Sequence, residues 1–452
     1  CAHKPCKNNE KDFKDIAMKD PAPTLMIQDE MHLIKESLGA FDSHYETFIE
    51  YFVRAFNVKK RGIKIIGATA TITQCETQAK HLYDKKAIRF PCASPYRDKN
   101  FYSYIDKNEL NRIIIGYAPF GKAIINSVVY ALQYLRKIIF HLYNNPQEIV
   151  DMAHMEFIGT DEQKLLQAKA LMEDYWILLQ YNNVKMDGNK VISAIADPIN
   201  TQLIAEGISP LIPEKMTGDD KFQDVRKLLS RIEHADSIVD DLGFNLIIAT
   251  SMISHGVDAD RFNMMLFYGM PGNTAEYIQA YSRVGRKYVG IVIDIMRPAR
   301  EKDQSYLKTF NKFHEFKDIL VDSVPINRWA TKTIDCTLPG VVSGIIINHY
   351  SKQLCKRLDL MGELKEAVVA GEIKADEIKE HLYGIYKCSD VDAQIGKPYK
   401  IRIDELVDAL LEGIRTTIFD KYDFISMAFE KIGFHVMTSL RDTDRQLNIQ
   451  LE

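Results

Sequence analysis

Short apolar runs recur along the chain, and most of them are nearly continuous in Ile, Leu, Val and Met instead of alternating with polar residues. Runs of this kind indicate strands that are buried on both faces, as in a parallel sheet covered by helices. They predict seven strands, at residues 24–30, 62–69, 112–118, 176–182, 245–251, 263–269 and 290–295. Amphipathic stretches separate the runs, so the predicted fold class is α/β, with parallel sheets flanked by helices.

Two changes in this pattern predict domain boundaries. The polar and aromatic stretch 91–111 lacks helical periodicity, which is typical of a connection between two sheets. After residue 297 the strand pattern stops, and apolar residues recur at helical spacing, for example in 404–422. We therefore expect domains at residues 1–105, 106–297 and 298–452, of which the last is mainly helical.

Composition narrows the class of partners. The chain has 452 residues, of which 46% are apolar, so it can bury large cores. No apolar run reaches the ~18 residues of a membrane span, and we expect no membrane partner. A net charge of −4 excludes a uniformly basic surface, so any contact with nucleic acid must come from a local group of Lys and Arg.

The seven cysteines form a scattered set with an odd number, which favours reduced thiols and a cytoplasmic location. Two of them, Cys1 and Cys6, lie close together in the sequence CAHKPC. This spacing leaves two interpretations open: half of a zinc site whose other ligands lie elsewhere, or two ordinary thiols.

The sequence TLMIQDEMHLI, residues 24–34, places two carboxylates at the end of an apolar strand. Asp29 and Glu30 end this strand, and Thr69 and Thr71 end the next one. Ligands of parallel sheets collect at the carboxyl ends of the strands. Adjacent acids there suit a nucleoside triphosphatase, since one can hold hydrated Mg²⁺ and the other can orient the attacking water. A solvated strand end or a helix cap is the alternative.

A later strand ends in hydroxyl groups and is followed by a glycine-containing loop, in ATSMISHGVDADR, residues 249–261. Thr250 or Ser251 is suited to bind phosphate oxygens. Gly256 permits close approach of the backbone to a ligand, and Asp258 follows two residues later. An ordinary loop between a strand and a helix is the alternative interpretation.

The most informative stretch is PGNTAEYIQAYSRVGRK, residues 271–287. Asn273 is a suitable N-cap, and the acid three residues later completes the pattern of a helix start. If the helix continues to residue 286, Gln279, Arg283 and Arg286 project from one face. Two guanidinium groups on one face repel each other unless an anion lies opposite, and a triphosphate would satisfy both. The alternative is a solvated basic helix end.

The ordered set DEMH, GATAT, ATSMISHGVD and QAYSRVGR resembles motifs II, III, V and VI of superfamily 2 helicases, with DEMH as the DExH box. The wider sequence, including LMIQDEMHLI and TSLRDTDRQLNIQL, resembles the large helicases of the DISARM phage-defence system. The likeness extends from about residue 24 to the end of the chain. It implies a partial first and a complete second RecA-like lobe, with ATP and Mg²⁺ as cofactors.

The resemblance also implies roles for individual residues. Asp29 would hold Mg²⁺, Glu30 would activate water, and His32 would connect the acids with Gln279. Thr69, Thr71 and Thr250 would couple hydrolysis to nucleic acid. Gly256 and Asp258 would contact the nucleotide or its ribose. Arg283 and Arg286 would contact the phosphates as arginine fingers.

Two positions depart from the family pattern. Gly67 stands where motif III often has Ser, and Ser282 stands where motif VI often has Gly. The first departure removes a hydroxyl group from the segment that would couple hydrolysis to nucleic acid, which leaves open how this segment acts.

The phosphate-binding loop of such enzymes has one partial match, GYAPFGKA, from Gly116 to Ala123. Ala123 lacks the hydroxyl group that should bind Mg²⁺, and the segment follows the acidic strand instead of preceding it. We expect a strand-to-helix turn here and a true phosphate loop before Cys1 in a longer parent protein. This chain alone is then expected to be inactive as an ATPase.

Three functions remain as hypotheses. The first is an ATP-dependent helicase or translocase acting on nucleic acid, with DNA favoured by the likeness to a defence system, in which partner proteins are also expected. The second is a scaffold that binds nucleic acid or proteins without hydrolysis, and the third is an RNA helicase. In INRWATKT, Arg328, Trp329 and Lys332 either stack on or neutralise a nucleic-acid strand, or pack the helical region against the core, and packing is favoured.

Overall fold

The computed structural model describes residues 23–56, 61–69, 74–92, 94–96, 99–106, 108–153, 157–218, 220, 222–251, 260–388 and 393–437. The chain forms two compact units. Unit 1 combines residues 1–90 with 323–452, and unit 2 is the continuous segment 91–322. The division at residues 105 and 297 that the sequence predicts stays a prediction.

Unit 1 contains a two-stranded parallel sheet of β1 (Leu25–Gln28) and β2 (Lys64–Gly67), in which Gln28 is paired with Gly67. The helices α1 (Glu36–Phe56) and α2 (Cys75–Tyr83) follow the two strands, and a 3₁₀ turn spans Met31–Leu33. On one face of the sheet, Met26 and Ile65 pack against apolar residues near α1. Parallel strands joined through a helix form the βαβ arrangement that the sequence predicts.

The second segment of unit 1 is helical, as predicted. Its helices are α13 (Thr331–Ile345), α14 (Ser351–Leu354), α15 (Met361–Val369), α16 (Ala375–Ile385), α17 (Ala393–Thr416) and α18 (Ile425–Lys431), with a π-helical turn at Ile346–Tyr350. These helices share one core, and the aromatic side chains of α1 pack against it. Gly344 permits this approach, because a Cβ atom there would lie 2.4 Å from the ring of Phe48.

Arg328 lies within this unit and is only 2% exposed. Its guanidinium group donates to the backbone oxygen of His81 and to the hydroxyl group of Thr47. Trp329 packs against the helical core. The packing interpretation of INRWATKT is therefore confirmed for Arg328 and Trp329, whereas Lys332 is exposed.

Unit 2 contains a six-stranded parallel sheet with the strand order β3-β8-β7-β4-β6-β5. The strands are β3 (Arg112–Tyr117), β4 (Leu178–Asn182), β5 (Pro213–Met216), β6 (Leu246–Ala249), β7 (Met264–Tyr268) and β8 (Gly290–Ile295). The helices are α3 (Ile124–Asn144), α4 (Pro146–Met152), α5 (Asp161–Glu173), α6 (Lys185–Ala194), α7 (Asn200–Ala205), α8 (Phe222–His234), α9 (Ile238–Asp241), α10 (Thr274–Tyr281), α11 (Glu301–Lys308) and α12 (Phe310–Phe316), with a π-helical segment at Ile195–Ile199.

The central strands β4, β6 and β7 are buried at every position, which accounts for their continuous apolar sequences. One strand, β5, was missed by the sequence analysis. Its sequence PEKM has no apolar run, because it lies at the edge of the sheet and exposes Glu214 and Lys215. The segment 116–123 runs from the end of β3 into the turn at 118–123 that precedes α3, so the predicted strand-to-helix turn is confirmed.

The predicted fold class is confirmed: both sheets are parallel and carry helices, as in RecA-like lobes, and the described residues from 301 onwards are mainly helical. Within the described part of the chain, no helix combines the length and the apolar character that crossing a membrane requires.

Candidate nucleotide and nucleic-acid sites

The acidic pair lies immediately after β1. Glu30 has a left-handed backbone conformation with φ of 51°, and its N–H group donates to Asp29 Oδ1 over 2.9 Å. Asp29 is exposed and Glu30 is half-buried, so both carboxylates are accessible from solvent. The turn at Glu30 leads directly into the 3₁₀ segment that carries His32.

His32 connects the acidic segment with the end of β2. It is 5% exposed, and its Nδ1 lies 2.9 Å from Thr69 Oγ1 and 3.4 Å from Glu30 Oε2. A backbone hydrogen bond from Met31 to Ala68, 3.1 Å long, joins the same two segments. The structure therefore brings together three predicted site residues, because the parallel register of β1 and β2 places their carboxyl ends side by side.

There is a steric reason for the glycine at position 67, which departs from the family pattern. A Cβ atom at this position would lie 2.7 Å from the sulfur atom of Met31. Met31 is 6% exposed and lies between the acidic pair and His32. A serine here would require Met31 to move, so the glycine permits close packing of the two segments.

The donor set at the acidic turn suits Mg²⁺, since carboxylate oxygens are hard ligands and Mg²⁺ usually takes only one or two of them besides phosphate and water. Among the described residues, no group of three or more His, Cys, Asp or Glu side chains has the arrangement of a metal site.

In unit 2, helix α10 begins as the sequence predicts. The side chain of Asn273 accepts a hydrogen bond of 2.8 Å from the N–H group of Glu276. The carboxylate of Glu276 accepts a hydrogen bond from the hydroxyl group of Tyr181. Gln279 lies in the last turn of this helix and is 5% exposed.

The predicted extent of this helix was wrong, because α10 ends at Tyr281 instead of continuing to residue 286. Gly285 has φ of +76°, and its N–H group donates to the carbonyl oxygen of Phe262 over 3.0 Å. Arg283 and Arg286 consequently lie in the turn after the helix, the first half-buried and the second exposed. The turn, and not a helical face, determines how these two arginines are presented.

Arg112, at the start of β3, holds this turn and was missed by the sequence analysis. Its guanidinium group donates to the carbonyl oxygen of Val284 and, over 3.0 Å, to that of Ser282. Burial lowers the pKa of Arg112, and the nearby charge of Arg286 lowers it further. The available sequence signal was an arginine at the start of an apolar strand.

Beneath α10 lies a buried polar chain. The hydroxyl group of Tyr277 lies 2.7 Å from Asp294 Oδ2 and 2.8 Å from His314 Nε2, and His314 Nδ1 lies 2.8 Å from the carbonyl oxygen of Phe310. That carbonyl only accepts, so a neutral His314 carries its hydrogen on Nδ1 and accepts at Nε2. The single hydroxyl hydrogen of Tyr277 then has two possible acceptors, Nε2 of His314 and the carboxylate of Asp294, unless Asp294 is protonated. Complete burial raises the pKa of Asp294 to about 7, which is consistent with a shared proton.

Thr250 lies at the carboxyl end of β6 and lines a small polar pocket of about 120 Å³. The pocket also contains Lys185 at the start of α6, Lys215 from β5, and Thr217. Gly188 allows α6 to approach the sheet, because a Cβ atom there would lie 2.8 Å from Ile248. Two ammonium groups, hydroxyl groups and a helix N-terminus form a suitable environment for a phosphate group.

Several predicted residues lie outside the described part of the chain: Thr71, Gly256, Asp258, Cys1 and Cys6. Their roles stay predictions, as do those of the residues that the structure does describe. The described acids, His32 and Thr69 belong to unit 1, whereas Thr250, Gln279 and the two arginines belong to unit 2.

Part of the sequence is similar to a known helicase domain. The family profile described as helicase conserved C-terminal domain matches residues 226–288, from α8 to the turn that carries Arg283 and Arg286. This match and the relative described next confirm the resemblance to helicases and to a DISARM protein that the motifs indicate.

That relative is DISARM protein DrmA of Bacillus paralicheniformis, which is 27% identical over 353 residues, covering 75% of this chain and 29% of DrmA. The chain therefore spans less than a third of the length of this relative. Among solved structures, the DUF1998 helicase MrfA bound to DNA has a TM-score of 0.46 at 14% identity, covering 71% of this chain and 37% of MrfA. Helicase Lhr of Mycobacterium smegmatis, bound to single-stranded DNA and AMP-PNP, has a TM-score of 0.44 at 11% identity, with 80% and 36% covered.

Proposed function

We propose that this chain is part of an ATP-dependent superfamily 2 helicase or translocase that acts on DNA in the cytoplasm, in defence against phage. The observation that carries the proposal is the arrangement of Glu30, His32 and Thr69 at the ends of two parallel strands. A carboxylate, a buried histidine and a hydroxyl group from two sequence motifs meet there, as a site that couples hydrolysis to movement requires. Similarity to a DISARM protein supports the defence role and the choice of DNA.

In this proposal the acids perform the phosphoryl-transfer chemistry. Asp29 would hold Mg²⁺ and Glu30 would orient water for attack, while His32 would fix the position of the Glu30 carboxylate. Mg²⁺–ATP, when bound, supplies the phosphoryl group that is transferred to water. Arg283 and Arg286 bind the negative charge of the phosphates, which is the task of arginine fingers.

The pocket of unit 2 supports a contact with the backbone of nucleic acid. The chain as a whole has a net charge of −4, so positive charge for such a contact must be local, and Lys185 and Lys215 supply it. Thr250 supplies a hydroxyl donor. Such contacts carry no sequence information, which suits a motor that moves along any strand.

The test uses the longer parent protein, with ATP hydrolysis measured with and without single-stranded DNA. Glu30→Gln should lower turnover by at least ~100-fold, because it removes the group that orients water. Glu366→Gln, which changes an exposed acid on α15, is the matched control. DNA-stimulated turnover that persists in the Glu30 variant would contradict the assigned role.

The alternative, a scaffold that binds without hydrolysis, predicts DNA binding by the parent protein with no turnover in either condition. The same assay with single-stranded RNA in place of DNA distinguishes the third hypothesis, an RNA helicase, from the first. This chain contains no GxxxxGK[ST] sequence, so we expect negligible hydrolysis from the 452 residues alone. Turnover by this chain that Glu30→Gln abolishes would contradict that expectation.

A further inference from the structure

A tight turn with exposed aromatic side chains precedes β3. Lys99 and Tyr104 form an antiparallel bridge, and the backbone N–H group of Asn100 donates to Ser103 over 2.8 Å. The side-chain oxygen of Asn100 accepts from the N–H groups of Tyr102 and Ser103, at 2.7 and 2.9 Å. We call residues 99–104 the aromatic turn. Polar atoms hold its shape, so its rings are not needed for a core.

The rings of the aromatic turn are unusually accessible. Phe101 is 93% exposed, Tyr104 is 77% exposed and Tyr102 is 64% exposed. Lys99 Nζ lies 4.4 Å from the ring centre of Tyr96, which is also 60% exposed. Phenylalanine and tyrosine gain stability mainly by removing their rings from water. A hydrogen-bonded turn that presents three such rings to solvent therefore has the features of a binding surface.

We propose that the aromatic turn stacks on the bases of single-stranded nucleic acid, with Phe101 and Tyr104 as the main contacts and Lys99 near the phosphates. The proposal rests on the proposed function, since it adds a second contact for the same ligand. Stacking on aromatic rings tolerates any base sequence, because every base has a π face. It therefore complements the pocket of unit 2, which suits the phosphate backbone.

The composition of the segment favours nucleic acid over a protein partner. Residues 94–104 contain four aromatic side chains and no aliphatic one, whereas the core of a protein interface is a larger apolar surface. Residues 94–104 contain two basic residues, Arg97 and Lys99, and one acidic residue, Asp98, in a chain with a net charge of −4. Several adjacent rings also suit a strand with consecutive bases better than a mononucleotide, which has a single base.

The test measures the fluorescence anisotropy of labelled oligothymidylate with the whole chain. Phe101→Ala and Tyr104→Ala should each weaken binding about 5- to 150-fold, and Phe101→Trp should retain it. Phe120→Ala is the matched control, because Phe120 is a 75% exposed aromatic residue between β3 and α3. Circular dichroism checks that each variant is folded. Unchanged binding in both alanine variants would overturn the proposal, and it is the outcome expected if the turn contacts a protein.

Two further measurements separate this proposal from the proposed function. The aromatic turn precedes the amino end of β3, whereas Lys185 and Lys215 lie near the carboxyl ends of other strands, so the two groups can be changed independently. If the double variant Lys185→Ala, Lys215→Ala weakens binding and the aromatic variants do not, the stacking proposal fails alone. If the unaltered chain binds no oligothymidylate, both fail. If Phe101→Ala weakens binding of a fluorescent ATP analogue but not of oligothymidylate, the turn serves a nucleotide and the proposal is overturned.

Discussion

At the scale of single residues, the buried ring of His32 is where two sequence motifs meet. Its Nδ1 lies within 3.4 Å of both Glu30 and Thr69, and the backbone around it is joined by the bond from Met31 to Ala68. A change at the acids therefore has a short physical path to the end of β2. The sequence alone gave the strand ends and the residue types, but not the packing of Met31 against Gly67.

Replacement of Gly67 by alanine should destabilise unit 1 by about 1–3 kcal/mol, because the added methyl group would lie 2.7 Å from the sulfur of Met31. Thermal unfolding followed by circular dichroism measures the change. Gly272→Ala is the control, since a Cβ atom at Gly272 meets nothing within 4 Å. Equal effects of the two substitutions would show that the contact with Met31 does not matter.

Asp294 gives a prediction for pH dependence. Its pKa is raised by burial from 3.8 to about 7, so the folded state binds its proton more tightly than the unfolded state does. Below pH 4 this proton therefore makes its full contribution to the free energy of unfolding. As the pH rises towards 7, that contribution, about a few kcal/mol, is lost. Urea unfolding of the chain at pH 5 and pH 8 measures this loss.

Asp294→Asn should flatten that pH dependence, because asparagine does not titrate and its amide can still donate to Tyr277. Asp236→Asn, which changes an exposed acid, should leave it unaltered. A slope that persists in Asp294→Asn would assign the titration to another group, of which Asp303 and His314 are the neighbours.

At the scale of elements, the start of α10 was predictable and its end was not. Asn273 has a local signature that depends on residues within one turn. The end depends on Gly285, whose backbone lies so close to Gly290 that a Cβ atom there would be 2.6 Å from the nitrogen of Gly290. That approach is a tertiary contact, and the helical spacing of Gln279, Arg283 and Arg286 gave no sign of it.

The strands show the same difference between features that local sequence predicts and features that depend on tertiary structure. Seven of the eight strands in the described part of the chain were predicted within two residues at each end, because buried parallel strands have continuous apolar sequences. The eighth, β5, lies at a sheet edge with a proline, a glutamate and a lysine, and these residues also protect an edge from pairing with other chains. Its lysine proved to line the candidate phosphate pocket.

Arg112 should affect nucleotide binding through the turn that it holds. Arg112→Met removes the donors to Ser282 and Val284 and should weaken ATP binding by the parent protein about tenfold, since Arg283 and Arg286 lose their fixed presentation. Binding of a fluorescent ATP analogue measures this effect. Lys122→Met, in the turn before α3, is the control, and unchanged affinity in Arg112→Met would show that the turn is held by other contacts.

At the scale of the whole molecule, unit 2 should fold by itself. Its core residues, fully and partly buried, all lie between Ile114 and Phe313, within one continuous segment. We expect the fragment 91–322 to unfold cooperatively and to bind oligothymidylate through the pocket that contains Lys185 and Lys215. Calorimetry and anisotropy measure these properties, and a fragment without a cooperative transition would contradict the division into units.

The fragment 323–452 is the contrasting case, because α1 supplies Phe48 and Phe52 to its core from the other end of the chain. The predicted catalytic acids and the predicted arginines likewise belong to different units. Sequence motifs identify such residues one by one, each within its own unit. For this reason the roles of these residues depend on activity measurements with the parent protein.

The discontinuous construction of unit 1 affects the order in which the protein can fold during synthesis. Helix α1 leaves the ribosome before unit 2, whereas the helices that cover its aromatic face leave after it. At ~5–20 residues per second, the roughly 230 intervening residues take about 10–50 s to translate. Throughout that interval the rings of α1 are exposed on the nascent chain, while unit 2 is already able to fold. Chaperone binding to the newly made α1 is the expected result, and translation arrested before residue 323 should yield an aggregation-prone product.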